Sequence, residues 1–179
     1  MKNISLILAC TFEGGIGYNN DLPWYIKSDL KKFKDITSKT LDSSKQNAII
    51  MGSKTYMSLP KKELPNRVNI VLTKKNNIIN NNIIIFNNIN NAIQYCYNNN
   101  LIENIFIIGG AEIYNIFLNN IHLIDNIYLT LLKNKYKCNR YILIDKIFEN
   151  FNFENHKEYN FEKDIYVSYI CKKKIKAVF

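Results

Sequence analysis

No stretch of the 179 residues approaches the roughly 18 consecutive apolar residues that a membrane-spanning helix requires. The hydrophobic 47% is broken into many short runs, which excludes such a helix and makes no membrane partner necessary. The length suits one domain, taken as residues 1–179, with chain enough to bury a sizeable core. Cysteine is scarce and scattered. Cys10, Cys96, Cys138 and Cys171 form no close pair of the kind that builds a zinc or redox site, so they are read as packing residues in a reducing compartment, with no metal expected. Met1-Lys2-Asn3 leads straight into the apolar run Ile4–Cys10, with neither a small-residue cleavage site nor an Arg/Ser-rich transit segment. The expectation is a cytoplasmic protein. Internal repeats are also lacking.

The formal charge is +9, mostly from lysine. Such an excess suits a nucleic-acid surface, but the chain is equally rich in Asn and Ile, and all three are residues that A/T-rich codons specify. The lysines at Lys31-Lys32, Lys61-Lys62, Lys74-Lys75 and Lys172 to Lys174 lack the interleaved aromatic platform of a single-strand binder. A nucleic-acid partner is not required, and an anionic small substrate is compatible. The Asn-rich stretches Asn76–Asn82, Asn87–Asn91 and Asn98–Asn100 read as surface turns.

Strand-length apolar runs occur at Ile4–Cys10, Ala48–Met51, Val68–Leu72, Ile83–Phe86, Ile105–Ile108, Ile127–Leu132 and Tyr166–Cys171. Helical patterns fall between several of them, at Ile26–Thr37, Ser53–Leu59, Asn90–Tyr97 and Ala111–Leu118. Alternation of this kind predicts an α/β fold: a mixed, mostly parallel twisted sheet flanked by helices. The end of the chain reads differently. Ile127–Leu132, Phe151–Phe161 and Tyr166–Cys171 have no helical pattern between them, which predicts antiparallel C-terminal strands.

On the first helix, Ile26, Leu30, Phe33 and Thr37 share a face, and Asp29 lies within the apolar arc beside Leu30, Phe33 and Ile36. A carboxylate buried there would have a raised pKa. The alternative is an ordinary first-turn acid stabilised by the helix dipole. Immediately upstream runs Gly15-Ile16-Gly17-Tyr18-Asn19-Asn20-Asp21-Leu22-Pro23-Trp24, which holds the chain's only tryptophan. Glycine lets this loop move, and Leu22 and Trp24 can cover a flat ligand.

Two further segments favour anions. Gly52-Ser53-Lys54-Thr55 and Gly109-Gly110-Ala111-Glu112 each follow a strand and open a helix, where free N–H groups suit a phosphate. Together they suit a diphosphate, although a tight turn explains either alone. Arg67, just before a strand, has the fork geometry that binds carboxylates; an exposed arginine at a strand start is the plain alternative.

At these positions the sequence resembles the dihydrofolate reductase family. Ile16-Gly17-x-Asn19-x-x-Leu22-Pro23-Trp24, an acid five residues on at Asp29 and Phe33 four beyond that form a family signature, and the likeness extends from Ile4 to about Thr130. The resemblance implies NADPH-dependent reduction of 7,8-dihydrofolate to tetrahydrofolate, with hydride delivered to C6 and a proton to N5, in support of one-carbon metabolism and thymidylate synthesis. It assigns catalysis to Asp29, Leu22, Trp24, Thr130 and Tyr114. Asp29 would hold the pterin and promote protonation, and Thr130 would orient the acid. Ile7, Leu8, Phe33, Ile50, Leu59 and Ile108 would complete the pterin and benzoyl pocket, with Arg67 on the glutamate tail. NADPH would lie against Ala9, Ile16, Gly17, Gly52, Ser53, Lys54, Thr55, Leu72, Thr73, Lys74, Ile108, Gly109, Gly110, Ala111, Glu112, Ile113 and Tyr114. Of these, Lys54, Thr55, Thr73 and Lys74 would face the 2′-phosphate.

Two departures stand out. Ser53 replaces a residue that is basic in many members of the family, and Cys138-Asn139-Arg140-Tyr141-Ile142 replaces a segment whose acid supports lid closure in some of them. The resemblance implies a monomer, and association with a separate thymidylate synthase stays open. The rival readings are a riboflavin-pathway pyrimidine reductase and a basic nucleic-acid-binding domain on the same fold.

Overall fold

The computed structural model describes residues 2–74, 80–161 and 164–174. Of the Asn-rich stretch Asn76–Asn82, residues 76–79 lie outside the described residues, as does Lys75. The elements in chain order are β1 (Ile4–Thr11), β2 (Gly15–Gly17), α1 (Lys27–Ser38), β3 (Gln46–Gly52), α2 (Ser53–Ser58), β4 (Arg67–Leu72), β5 (Ile83–Phe86) and α3 (Ile89–Asn98). There follow β6 (Ile102–Gly109), α4 (Ala111–Asn119), β7 (Asn126–Leu132), β8 (Arg140–Tyr141), α5 (Ile144–Asn150), β9 (Phe151–Phe161) and β10 (Asp164–Lys173).

Eight strands form one sheet in the order β5-β4-β3-β6-β1-β7-β10-β9. β5 to β7 are mutually parallel, and β10 runs antiparallel to both β7 and β9. The α/β architecture with an antiparallel ending is as the residue pattern predicts. The alternation of side chains along each strand divides the core into two layers. Leu6, Leu8, Ala48, Ile50, Ile70, Ile105, Ile107 and Leu129 pack on one face with Ala92 and Cys96 of α3 and Phe117 and Leu118 of α4. Ile7, Ile49, Met51, Val71, Phe106 and Ile108 pack on the other with Phe33 and Ile36 of α1 and Tyr56 and Leu59 beside α2.

Three expectations need correction. A helix, α5, does interrupt the closing strands; it buries Ile144 and Ile147 against the core. Asn88 to Asn91 are a helix start, not a turn: the Asn88 side chain accepts from the Asn91 N–H and caps α3. Leu30 is 41% exposed although it shares the apolar arc of α1, because the helix begins at Lys27 and turns Asp29, Phe33 and Thr37 toward the sheet instead.

Candidate active site

α1 crosses one face of the sheet, from Thr130 late in β7 to Asn47 and Arg67 at the starts of β3 and β4. Asp29, Phe33 and Thr37 are spaced i, i+4, i+8, so they form one stripe about 12 Å long. At its first end Asp29 is half-buried in the first turn and accepts a 2.7 Å hydrogen bond from the Thr130 hydroxyl of β7. Burial raises its carboxyl pKa, opposed by the Thr130 hydrogen bond and by Lys32. Both readings of Asp29 thus hold in part: it is a first-turn acid, and it is also withdrawn from water.

The other end of the stripe is cationic. Arg67 is only 7% exposed; its Nη1 donates to Thr37 Oγ1 at 2.7 Å and its Nε to the Pro65 carbonyl at 3.0 Å, and it stands 6.0 Å from the centre of the Phe33 ring. Burial lowers its pKa, yet a guanidinium stays charged. The ion pairs between described residues, Lys45–Asp42 and Lys172–Glu154, do not include it. A buried cation is normally paired with an anion, so the guanidinium is suited to an anionic group of a ligand. Two buried amides brace that end. Asn47 donates to the Thr37 and Lys39 carbonyls at the C-terminus of α1, and Asn69 clips Leu64 and the Arg67 carbonyl.

Between the two ends, Ile7, Phe33, Leu59 and Ile108 belong to the same layer as Asp29 and form the apolar floor. Leu8 and Ile50 do not. Their side chains lie in the opposite layer with α3 and α4, so Ile50 is removed from the expected pocket and Leu8 can contribute there only through its backbone. Leu22 is 52% exposed and free to cover a ligand. Trp24 is instead 8% exposed, packed with Ile26, Leu132 and Tyr166 and edge-on to Tyr136 at 5.2 Å; it anchors the loop.

The two glycine-led helix starts come together. Met51 pairs with Gly109, and a Cβ on Gly110 would stand 3.2 Å from Thr55 Oγ1, while one on Gly52 would stand 3.4 Å from Ile113. Neither α2 nor α4 has a side-chain cap at its N-terminus, so their first N–H groups remain available to a ligand. Gly52 pairs with Leu72, which places Ser53, Thr55 and the exposed Lys54 beside Thr73 and the exposed Lys74. Ala111 and the exposed Glu112 open α4. These residues fit a diphosphate flanked by a further phosphate. Tyr114 is buried, donates from its hydroxyl to the Ile7 carbonyl at 2.7 Å and has its pKa pushed up by burial, so it holds its proton near neutrality. Ala9 and Ile16 are half-buried and Gly17 is buried, at the start of the loop.

The loop itself is latched by a segment whose role the sequence left open. β2 pairs with β8. Asn139 donates from its backbone to the Gly17 carbonyl and from Nδ2 to Asn19 Oδ1, and its Oδ1 accepts from the Asn19 N–H. Asn19 and Asn20 both have positive φ and close a tight turn between Tyr18 and Asp21. Sequence reasoning did not single out Thr37, Asn47 or Ser168 for the site; it did mark Asn139 and Arg140 as departures that bear on the lid, without the hydrogen bonds that Asn139 makes. The one available signal was a polar residue at a core-facing position, as at Thr37.

The sequence profile of the dihydrofolate reductase family matches residues 3–173. A dihydrofolate reductase of Candida albicans is 38% identical over 137 residues, covering 74% of this chain and 69% of that protein. One of Drosophila melanogaster is 37% identical over 145 residues, 79% of each. A bifunctional dihydrofolate reductase-thymidylate synthase of Paramecium tetraurelia is 37% identical over 168 residues, 94% of this chain and 34% of that protein.

Proposed function

The chain belongs to the dihydrofolate reductase family, and from that premise we propose that it reduces 7,8-dihydrofolate to tetrahydrofolate with NADPH as the reductant. The observation that carries this reading is the single stripe on α1 with a half-buried acid at one end and, at the other, a buried guanidinium that has no ion pair among the described residues. A folate has the matching polarity: a hydrogen-bonding heterocycle, an apolar middle and a terminal carboxylate.

Asp29 holds the heterocycle through its amino and ring N–H groups and raises the local supply of protons at N5, directly or through an ordered water. Its raised pKa suits that task, because an acid poised nearer neutrality is more often protonated when needed. Thr130 fixes the carboxyl by donating to Oδ1. Ile7, Phe33, Leu59 and Ile108 supply the dry floor, Leu22 the cover, and Arg67 receives the tail carboxylate.

NADPH, when bound, supplies the hydride that reaches C6. The N-termini of α2 and α4 hold its diphosphate, and Lys54, Thr55, Thr73 and Lys74 hold the 2′-phosphate. Tyr114, whose hydroxyl is held by the Ile7 carbonyl, and Ile108 would border the nicotinamide and contribute by positioning the reacting carbons, not by exchanging a proton. Arg67 is 7% exposed and so withdrawn from the open basic surface that a polynucleotide needs. The enzyme acts as a cytoplasmic monomer on a free small molecule. The test is the loss of NADPH absorbance when purified protein is mixed with dihydrofolate; no oxidation, or equal oxidation with a pyrimidine substrate in its place, overturns the reading.

A further inference from the structure

Two hydroxyls on β10 stand behind the acid. Ser168 pairs with Thr130 in the antiparallel register, is 3% exposed, and has its Oγ 3.4 Å from Thr130 Oγ1. While Asp29 is ionised, the Thr130 hydroxyl spends its one proton on Oδ1, so toward Ser168 it can only accept. The direction of the chain is therefore fixed: Ser168 donates to Thr130, and Thr130 donates to Asp29. Two residues earlier on the same strand face, Tyr166 is 2% exposed and shares a 2.7 Å hydroxyl hydrogen bond with Ser28, the residue before Asp29. One strand thus grips consecutive residues of the first turn of α1.

We propose that Ser168 and Tyr166 are positioning residues for the Asp29 carboxylate, Ser168 acting through the Thr130 hydroxyl and Tyr166 through Ser28. The role in turnover rests on the dihydrofolate reductase reading; the effect on the carboxylate itself does not. Polarised in this direction, the hydroxyl chain favours the charged carboxylate and partly offsets the effect of burial. Tyr166 fixes where the first turn sits against β7, and with it the aim of Oδ1 toward Thr130. Among the described residues, the other titratable groups facing Asp29 are Lys32 on its own helix and Tyr114 on α4, and neither is altered in the variants below.

The experiment compares wild type, Ser168→Ala, Ser168→Thr and Tyr166→Phe in two measurements. The first is the titration of the carbon-13-labelled Asp29 carboxyl by NMR in the ligand-free protein. Ser168→Ala raises its midpoint by about 0.3 pH unit, and Ser168→Thr, which keeps the hydroxyl, restores it. The second is single-turnover oxidation of NADPH by dihydrofolate against pH. The limb that falls as Asp29 ionises moves upward with Ser168→Ala by the same amount, while Tyr166→Phe lowers the maximal rate about threefold and leaves KM for dihydrofolate unchanged. An Asp29 midpoint identical in wild type and Ser168→Ala overturns the role of Ser168, and an unaltered maximal rate in Tyr166→Phe overturns that of Tyr166. Absence of turnover in the wild type overturns the functional reading and leaves the NMR result to decide the role of Ser168.

Discussion

The Thr130 hydroxyl on β7 donates to the Asp29 carboxylate on α1 across 101 residues of chain, at 2.7 Å. That bond is what keeps a carboxylate tolerable in a half-buried site. Burial still dominates, and the carboxyl pKa is raised in the folded state. The folded protein therefore holds the Asp29 proton more tightly than the unfolded chain does. The stabilising contribution is fully present below the unfolded-state value near 3.8 and is lost as pH rises through the raised folded value. Asp29→Asn removes this dependence, and at pH 7 it raises the unfolding free energy by about 0.5–2 kcal/mol while NADPH oxidation at neutral pH collapses. Urea unfolding at several pH values, with the NADPH assay alongside, checks both; a destabilised but active variant would contradict the assignment.

In the proposed function Arg67 binds the tail of the substrate, not the ring. Arg67→Leu raises KM for dihydrofolate about 10- to 100-fold, the loss of a charge-assisted pair, and changes kcat by less than about threefold. Thr37→Val, which frees the guanidinium at one end, has the same sign and a smaller size. Steady-state kinetics with dihydrofolate and with a pteridine lacking the glutamate separate the cases. The truncated substrate is indifferent to both variants.

Lys54 and Lys74 stand at neighbouring strand ends, and Ser53 adds no charge there. Each alanine variant raises KM for NADPH about three- to tenfold, and the wild-type value climbs with ionic strength. The Michaelis constant for NADH, which lacks the 2′-phosphate, stays put. Parallel weakening of NADH would move these lysines away from that phosphate.

The strands and the order of elements were legible because each apolar run has strand length and each face must be covered. Asp29 stood out as a charge on an apolar face, but it, Arg67 and the two glycine turns became legible as a site only through the family signature around them, since each alone has an ordinary explanation. Sidedness was not. Ile49 and Ile50 are both fully buried, one on each face, so a strand apolar in every position carries no signal of which residue meets the ligand. α5 spans 7 residues, too few for a period of 3.6 to emerge, and β2 and β8 have 3 and 2. Thr37 and Ser168 act through partners 30 and 38 residues away, a relationship that only the fold creates.

Asn139 ties down the loop with an amide. Its side chain makes two hydrogen bonds to Asn19, and its backbone a third to Gly17, at the base of the loop that carries Leu22. A second hold comes from Lys137, whose ammonium lies 4.9 Å from the centre of the Tyr18 ring. Asn139→Ala deletes the two exposed side-chain bonds and keeps the backbone one, a loss of about 1 kcal/mol in holding the loop shut. The closed population falls about fivefold relative to the open one, while the melting temperature barely moves because no core contact is touched. Asn139→Asp keeps the acceptor for the Asn19 N–H and restores most of the latch. Amide hydrogen exchange at Asn19 reads the effect directly: faster in the alanine variant, near wild type in the aspartate one. Unchanged exchange at Asn19 in Asn139→Ala would mean that β2–β8 pairing and Lys137 hold the loop by themselves.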